Sequence, residues 1–270
     1  MPAGEAEARG ARQVAKKLDD LIAAKSTDVP AFLREMKGHK TSNAVQQKGI
    51  EGLLQIAEQD HVRTKILKAG GLKLLHDAMV KFSRITKIQQ DALALLAALC
   101  KDPQTFKQGH GKLPATSSTG YFIKEVCDAM NSLHGIAVVQ EKGCLVLHRL
   151  TLHDPSNKPH AKQNNGLKAI VNALQDHGAA HLIDTDHSEA RDHTRLSYGS
   201  AARARAKTVL TVLSFSRELQ APHLLRNALI AIASLAYKHR ENQKELVRLG
   251  TIQLVASGID ENAEDREVLR

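Results

Sequence analysis

Apolar residues recur with the period of an α-helix in four related thirteen-residue phrases of the chain. In each phrase the first, ninth and twelfth positions are apolar and the fifth is small. The phrases are VQQKGIEGLLQIA from Val45, IQQDALALLAALC from Ile88, VQEKGCLVLHRLT from Val139 and LLRNALIAIASLA from Leu224. The pattern predicts helices over about residues 45–58, 86–101, 137–152 and 224–238. The small fifth residue predicts a close approach between neighbouring helices, at Gly49, Ala92, Gly143 and Ala228.

The spacing of the phrases indicates a repeat. They begin 43, 51 and 85 residues apart, which is typical of one helical unit, one unit with a short insertion, and about two units. After each phrase, a glycine or an Asn-Gly pair precedes a further apolar helix, at Gly70-Gly71, Gly120, Asn165-Gly166 and Gly250. A glycine there favours a left-handed end to one helix and a sharp turn into the next.

The segments DHVRTKILKA from Asp60, GGLKLLHDAM from Gly70 and ITKIQQDALALLAALC from Ile85 follow in the order short helix, glycine-opened helix, long helix. This order resembles the armadillo-repeat family. The resemblance covers about residues 28–259 and implies an all-α fold, a right-handed α-solenoid of about four to five armadillo-like repeats. HEAT repeats are the nearest alternative, and they lack the short first helix and its paired glycine.

The sequence also allows predictions for the terminal segments and for the insertions between repeats. Residues 1–27 are expected to be partly helical or flexible, and insertions are expected at about 105–119 and 178–200. Residues 178–223 hold either a degenerate repeat, with a third-helix phrase from Ala202, or an insertion followed by an extra helix. Residues 260–270 are either an acidic tail or the start of a truncated repeat. In the second case the chain is a fragment, or a partner covers its end.

Third helices of armadillo proteins line a concave groove that holds peptide partners. The resemblance therefore implies that the third, fourth, seventh and eleventh places of each phrase face that groove. The polar candidates are Gln47, Lys48, Glu51, Gln55, Gln90, Asp91, Glu141, Lys142, Arg149, Arg226 and Asn227. The Trp and Asn ladders of the family's nuclear-import adaptors are missing, so import cargo is not the expected ligand.

Catalytic motifs are absent from the sequence: there is no nucleophile elbow, no glycine-rich nucleotide loop after a strand and no carboxylate pair in an apolar context. The expected function is that of a non-catalytic protein–protein interaction scaffold without a cofactor. A more specific form of this hypothesis makes the protein a subunit of a larger assembly. The net charge of +9 and a pI near 9.5 support an alternative, an α-solenoid that binds nucleic acid or another acidic surface.

Two further features bear on chemistry and location. His177 and His181 have the i, i+4 spacing of zinc ligands, but no cysteine joins them and HExxH is absent, so we expect a polar acidic loop without metal. The sequence has no run of eighteen apolar residues, no apolar signal region and no N-glycosylation sequon. Its three cysteines are interpreted as small apolar fillers in a reducing compartment, the cytoplasm or the nucleus.

Overall fold

The computed structural model describes residues 3–104, 106, 120, 122–178, 223–252 and 254. Within these residues the chain is helical and contains no β-strand. The α-helices with defined bounds are α1 (Ala3–Ala23), α2 (Val29–Gly38), α3 (Asn43–Ile56), α4 (Asp60–Lys68), α5 (Gly71–Lys81), α6 (Thr86–Leu99), α7 (Ile123–Ser132), α8 (Ala137–His153), α9 (Asn157–Gln163), α10 (Gly166–Ala173), α11 (His223–Ala236) and α12 (Arg240–Arg248). A π-helical turn, Leu174–Gly178, extends α10.

The chain divides into two compact units, Met1–Ser132 and Leu133–Arg270. Unit 1 contains α1 to α7, and unit 2 contains α8 to α12. The N-terminal segment of unit 1 contributes α1, which packs against α3. Most of the expected insertions at 105–119 and 178–200 lies outside the described residues, as does the segment 260–270.

The four phrases coincide with α3, α6, α8 and α11, which we call the phrase helices. Their bounds differ from the predicted ones by about two residues. The prediction of four amphipathic helices is therefore confirmed. The order of short, glycine-opened and long helix is also found, in α4, α5 and α6.

Local signals set several helix ends. Asp28 accepts a hydrogen bond from the backbone N–H of Ala31 at 3.0 Å and caps α2, with Pro30 in its first turn. The residues before α5 and α10 have positive φ, 83° at Gly70 and 58° at Asn165. Gly250 has a φ of 73°. The left-handed turns predicted at these three positions are confirmed.

The small fifth residues of the phrases are buried, as predicted. Ala92 and Ala228 are both 0% exposed, and Gly143 is also buried. A Cβ atom on Gly49 would lie 2.3 Å from Cγ of Met36, well inside van der Waals contact. The absence of a side chain at Gly49 is thus what allows α3 to approach α2.

A glutamine at the second place of the phrase anchors the start of three phrase helices. The buried amide of Gln89 donates to the carbonyls of Met79 at 2.9 Å and Phe82 at 3.1 Å. Gln46 repeats this pattern with carbonyls ten and seven residues earlier, and Gln140 donates to the carbonyl seven residues earlier. These carbonyls lie at or beyond a helix end, and those of His39, Phe82 and Leu133 also accept a backbone N–H of the turn. The glutamines therefore add hydrogen bonds that link the start of each phrase helix to the turn before it.

In unit 2, α8 packs against α11, although the two helices are far apart in the sequence. The side chain of Asn227 donates to the backbone carbonyl of Glu141 at 3.4 Å, and Nδ1 of His148 lies 2.5 Å from Oγ of Ser234. Both pairs are 86 residues apart, so α8 and α11 run in the same direction and in register.

The helices α8 and α11 are thus neighbours, although their phrases begin 85 residues apart, a spacing interpreted as about two units. Much of the sequence between them falls within 179–222, between the π-helical turn and α11. Those residues, including the phrase from Ala202, lie outside the described part of the chain. The choice between a degenerate repeat and an insertion with an extra helix therefore stays open.

None of the described helices combines the length and the apolar character needed to cross a membrane. Cys100, Cys127 and Cys144 are buried and form no disulfide. They fill space in the helical core, as the sequence predicted.

Candidate functional site

One side of α8 carries an exposed row in which apolar and basic residues alternate. Val138 and Leu152 are 46% and 61% exposed, and Lys142, Leu145 and Arg149 between them are half-buried. The steps of four and three residues keep all five side chains on one face of the helix. The opposite side of α8 is buried in the core of unit 2.

A second row continues this surface on α11. Arg226 is exposed, Ile230 and Ser234 are half-buried, and Tyr237, just after the helix, is 55% exposed. The last three, Ile230, Ser234 and Tyr237, have the same spacing as Leu145, Arg149 and Leu152 of α8. We call the two rows together the α8–α11 face, which comprises Val138, Lys142, Leu145, Arg149, Leu152, Arg226, Ile230, Ser234 and Tyr237.

The charge of the α8–α11 face is positive. It holds Lys142, Arg149 and Arg226 and no carboxylate, although Glu141 lies beside it and pairs with Lys142 at 2.8 Å. The described residues of unit 2 include ten lysine or arginine residues and five aspartate or glutamate residues. The face therefore lies in a basic environment, which favours acidic ligands.

Two ammonium groups lie close to the ring of Tyr237, at one end of the face. Nζ of Lys158 is 5.5 Å and Nζ of Lys238 is 5.2 Å from the centre of its ring. Lys158 is buried and donates to the backbone carbonyl of Tyr237 at 2.5 Å. Burial lowers the pKa of Lys158 because the charged ammonium loses hydration. These contacts position the exposed tyrosine ring.

The phrase helices of unit 1 present a different surface. The half-buried Lys48 of α3 pairs with Asp19 of α1 at 2.8 Å and with Glu51 at 3.1 Å. The hydrogen bond to Asp19, followed by that to Glu51, raises the pKa of Lys48 against the opposing effect of burial. On α6, small half-buried residues, Ala94 and Ala98, occupy the seventh and eleventh places of the phrase. The surface is therefore polar and internally paired on α3, and it presents small side chains on α6.

Most of the groove residues implied by the armadillo resemblance are solvent-accessible. Gln55 and Arg226 are exposed; the half-buried residues are Gln47, Lys48, Glu51, Gln90, Glu141, Lys142 and Arg149. Two residues correct the expectation of an accessible face, because Asp91 is only 6% and Asn227 only 8% exposed. Asp91 forms an ion pair with Lys87 at 2.9 Å, and Asn227 donates a hydrogen bond to α8.

The resemblance implied the third, fourth, seventh and eleventh places of each phrase, so it left out three exposed apolar residues that directly precede or follow a phrase. Val138, Leu152 and Tyr237 are among the large apolar residues most exposed in the described chain. The sequence did contain a pattern that relates two of them, because Val138, Leu145 and Leu152 are spaced seven residues apart. Exposure could not be read from that spacing, because buried residues follow the same period.

The described residues contain no cluster of three His, Cys, Asp or Glu side chains able to hold a metal ion. Nε2 of His177 donates to the backbone carbonyl of His134 at 2.6 Å. His181 and the acidic residues that follow it lie outside the described residues.

Comparisons with models of protein families, with curated proteins and with solved structures found no match to this chain. The surface just described therefore carries the functional argument.

Proposed function

We propose that this protein is a non-catalytic protein–protein interaction scaffold that binds a segment of a partner through the α8–α11 face. We propose further that the chain folds as an armadillo-like, right-handed α-solenoid of about four to five repeats, which presents this face. The protein would act as a subunit of a larger assembly. The observation that carries it is the exposure of Val138, Leu152 and Tyr237 on one face of two packed helices.

The apolar content of this face supports binding. Covering exposed apolar surface contributes about 25 cal/mol per Å², so three large side chains on one face offer a partner several kcal/mol of gross stabilisation. Clustered apolar residues with a polar surround are typical of interaction sites, whereas isolated ones are common on any surface. Lys142 and Arg149 supply such a surround on α8.

The state of the reactive side chains supports a non-catalytic role. The thiol of Cys127 is buried, and burial raises its pKa to about 12, so it is not a thiolate near neutral pH. His148 is held by a hydrogen bond to Ser234 between α8 and α11. Its burial lowers its pKa to about 4, which makes the imidazole a neutral structural group at neutral pH.

Site-specific photo-crosslinking tests this function. A benzophenone amino acid replaces Leu152 in one variant and Val80 in a matched control, because Val80 is 53% exposed but lies on α5 in unit 1. The two variants are irradiated in extract of the cells that express the protein, and adducts are identified by mass spectrometry. We expect discrete protein adducts from position 152 alone. The same adducts at both positions, or none at either, would contradict the proposal.

A further inference from the structure

The apolar residues of the α8–α11 face form two levels. Leu145 and Ile230 occupy the seventh place of their phrases, and Leu152 and Tyr237 occupy the fourteenth. The contacts between α8 and α11 join residues 86 apart and these pairs are 85 apart, so each pair lies within about one residue of the same height. Val138 adds a third apolar level on α8, seven residues before Leu145.

The distance between successive levels matches the seven-residue repeat of an α-helical ligand. Seven residues of an α-helix rise about 10.5 Å, so Val138 and Leu152 are separated by about 21 Å along α8. A partner helix that runs along the face would present an apolar side chain at each level if its sequence has a seven-residue repeat. An extended peptide presents side chains on one face about every 6.8 Å and does not match the levels.

The charges follow the same repeat. Lys142 and Arg149 are also seven residues apart, and each lies between two apolar levels of α8. A helix that places carboxylates beside its apolar residues would pair with both, whereas lysines in those places would be repelled. In unit 1 the equivalent places on α3 are Lys48 and Gln55, so only one of the two is basic, and Lys48 already pairs with both Asp19 and Glu51.

We propose that the partner segment is an acidic amphipathic α-helix, with apolar residues every seventh position that contact Leu145 with Ile230 and Leu152 with Tyr237. Its Asp or Glu side chains pair with Lys142 and Arg149. This inference rests on the proposed function, since it names the chemistry of the segment bound by the α8–α11 face.

The direct test uses three synthetic peptides and the full chain. The first is a fluorescein-labelled helix of about 21 residues with a leucine heptad repeat and flanking glutamates. The second has lysine in place of every glutamate, and the third has the composition of the first in scrambled order. Fluorescence anisotropy should give a Kd for the first peptide at least about tenfold below that of the other two. Equal affinity for all three peptides would overturn the inference.

Matched variants locate the binding. Leu152→Asp and Arg149→Glu should each raise the Kd of the acidic peptide about tenfold or more. Val80→Asp and Lys81→Glu make the same changes on the exposed part of α5 in unit 1 and should leave it unchanged. Arg149→Glu should also improve binding of the lysine peptide. If Lys81→Glu weakens binding as much as Arg149→Glu, only the net charge of the chain matters and the inference fails.

Two outcomes separate this inference from the proposed function. If position 152 forms adducts with a protein but the acidic peptide does not bind, the function stands and the helix inference is wrong. If a single-stranded DNA of about 20 nucleotides binds with sensitivity to Arg149→Glu but not to Leu152→Asp, the face recognises phosphates and both are wrong. Circular dichroism of each variant confirms that it retains its helices.

Discussion

The imidazole of His148 and the hydroxyl of Ser234, 86 residues apart in the sequence, meet at 2.5 Å between α8 and α11. Ser234 donates its own hydrogen to the carbonyl of Ile230 at 2.8 Å. The hydroxyl therefore accepts from His148, which must carry its proton on Nδ1. Protonation of His148 would add a second proton, and hence a charge, to a largely buried ring.

This contact predicts a pH-dependent stability of unit 2. Burial lowers the pKa of His148 to about 4, and the charge of Arg149 and then that of His153 act in the same direction. The folded pKa lies below the unfolded value of 6.5, so the unfolded chain binds the proton more tightly. The stabilisation is present above pH 6.5 and is lost as the pH falls toward 4. The loss between pH 7 and pH 5 should reach ~2 kcal/mol, at ~1.4 kcal/mol per pKa unit.

Urea denaturation at pH 7, 6 and 5 measures this loss. His148→Asn retains a donor for Ser234 and has no titrating group, so its free energy of unfolding should fall less over the same interval. Parallel pH profiles for the variant and the natural chain would show that His148 does not contribute.

The glutamine at the second phrase position provides a prediction about unit 1. Gln89→Leu removes the side-chain donor from the carbonyl of Met79 and from that of Phe82, which keeps the N–H of Ile85, and should cost about 1–3 kcal/mol. Gln90→Leu is the matched control, because Gln90 is adjacent in the sequence but half-buried on the helix surface. Chemical denaturation should show a clear loss for Gln89 and little change for Gln90. Similar losses for both variants would mean that the hydrogen bonds of Gln89 do not contribute to stability.

The buried alanines test the close approach of helices. Ala92→Leu and Ala228→Leu insert three carbons where the structure leaves no exposed surface, and overpacking should cost roughly 1–3 kcal/mol each. Ala94→Leu, on the half-buried side of α6, should be tolerated. The melting temperature of each variant is the measurement. Unchanged melting of the Ala92 and Ala228 variants would show that these positions do not lie at tight helix contacts.

Metal analysis tests the histidine pair. Because the described residues contain no group of three His, Cys, Asp or Glu side chains that could hold a metal ion, we expect no stoichiometric zinc in the purified protein and no change in melting with EDTA. Elemental analysis of the chain purified without metal-affinity steps is the measurement. One zinc per chain that is lost on His177→Ala or His181→Ala would reverse this expectation.

Much of the local structure was readable from the sequence. The four phrase helices, the left-handed Gly70 and Gly250, and the burial of Ala92 and Gly143 all follow from patterns within about fifteen residues. Helix period, backbone freedom and side-chain size are properties of neighbouring residues, so a local pattern is sufficient to predict them.

The α8–α11 face was decided by tertiary structure. Residues 154–222 separate its two helices in the sequence, and only packing shows that Glu141 is adjacent to Asn227 and His148 to Ser234. Packing also buries Asp91 and leaves Leu152 exposed, although both residues fit the period of their helices. Periodicity determines which side chains share a face of one helix. Burial, hydrogen-bond partners and the pKa of His148 depend on what a distant segment places against that face, which no local pattern encodes.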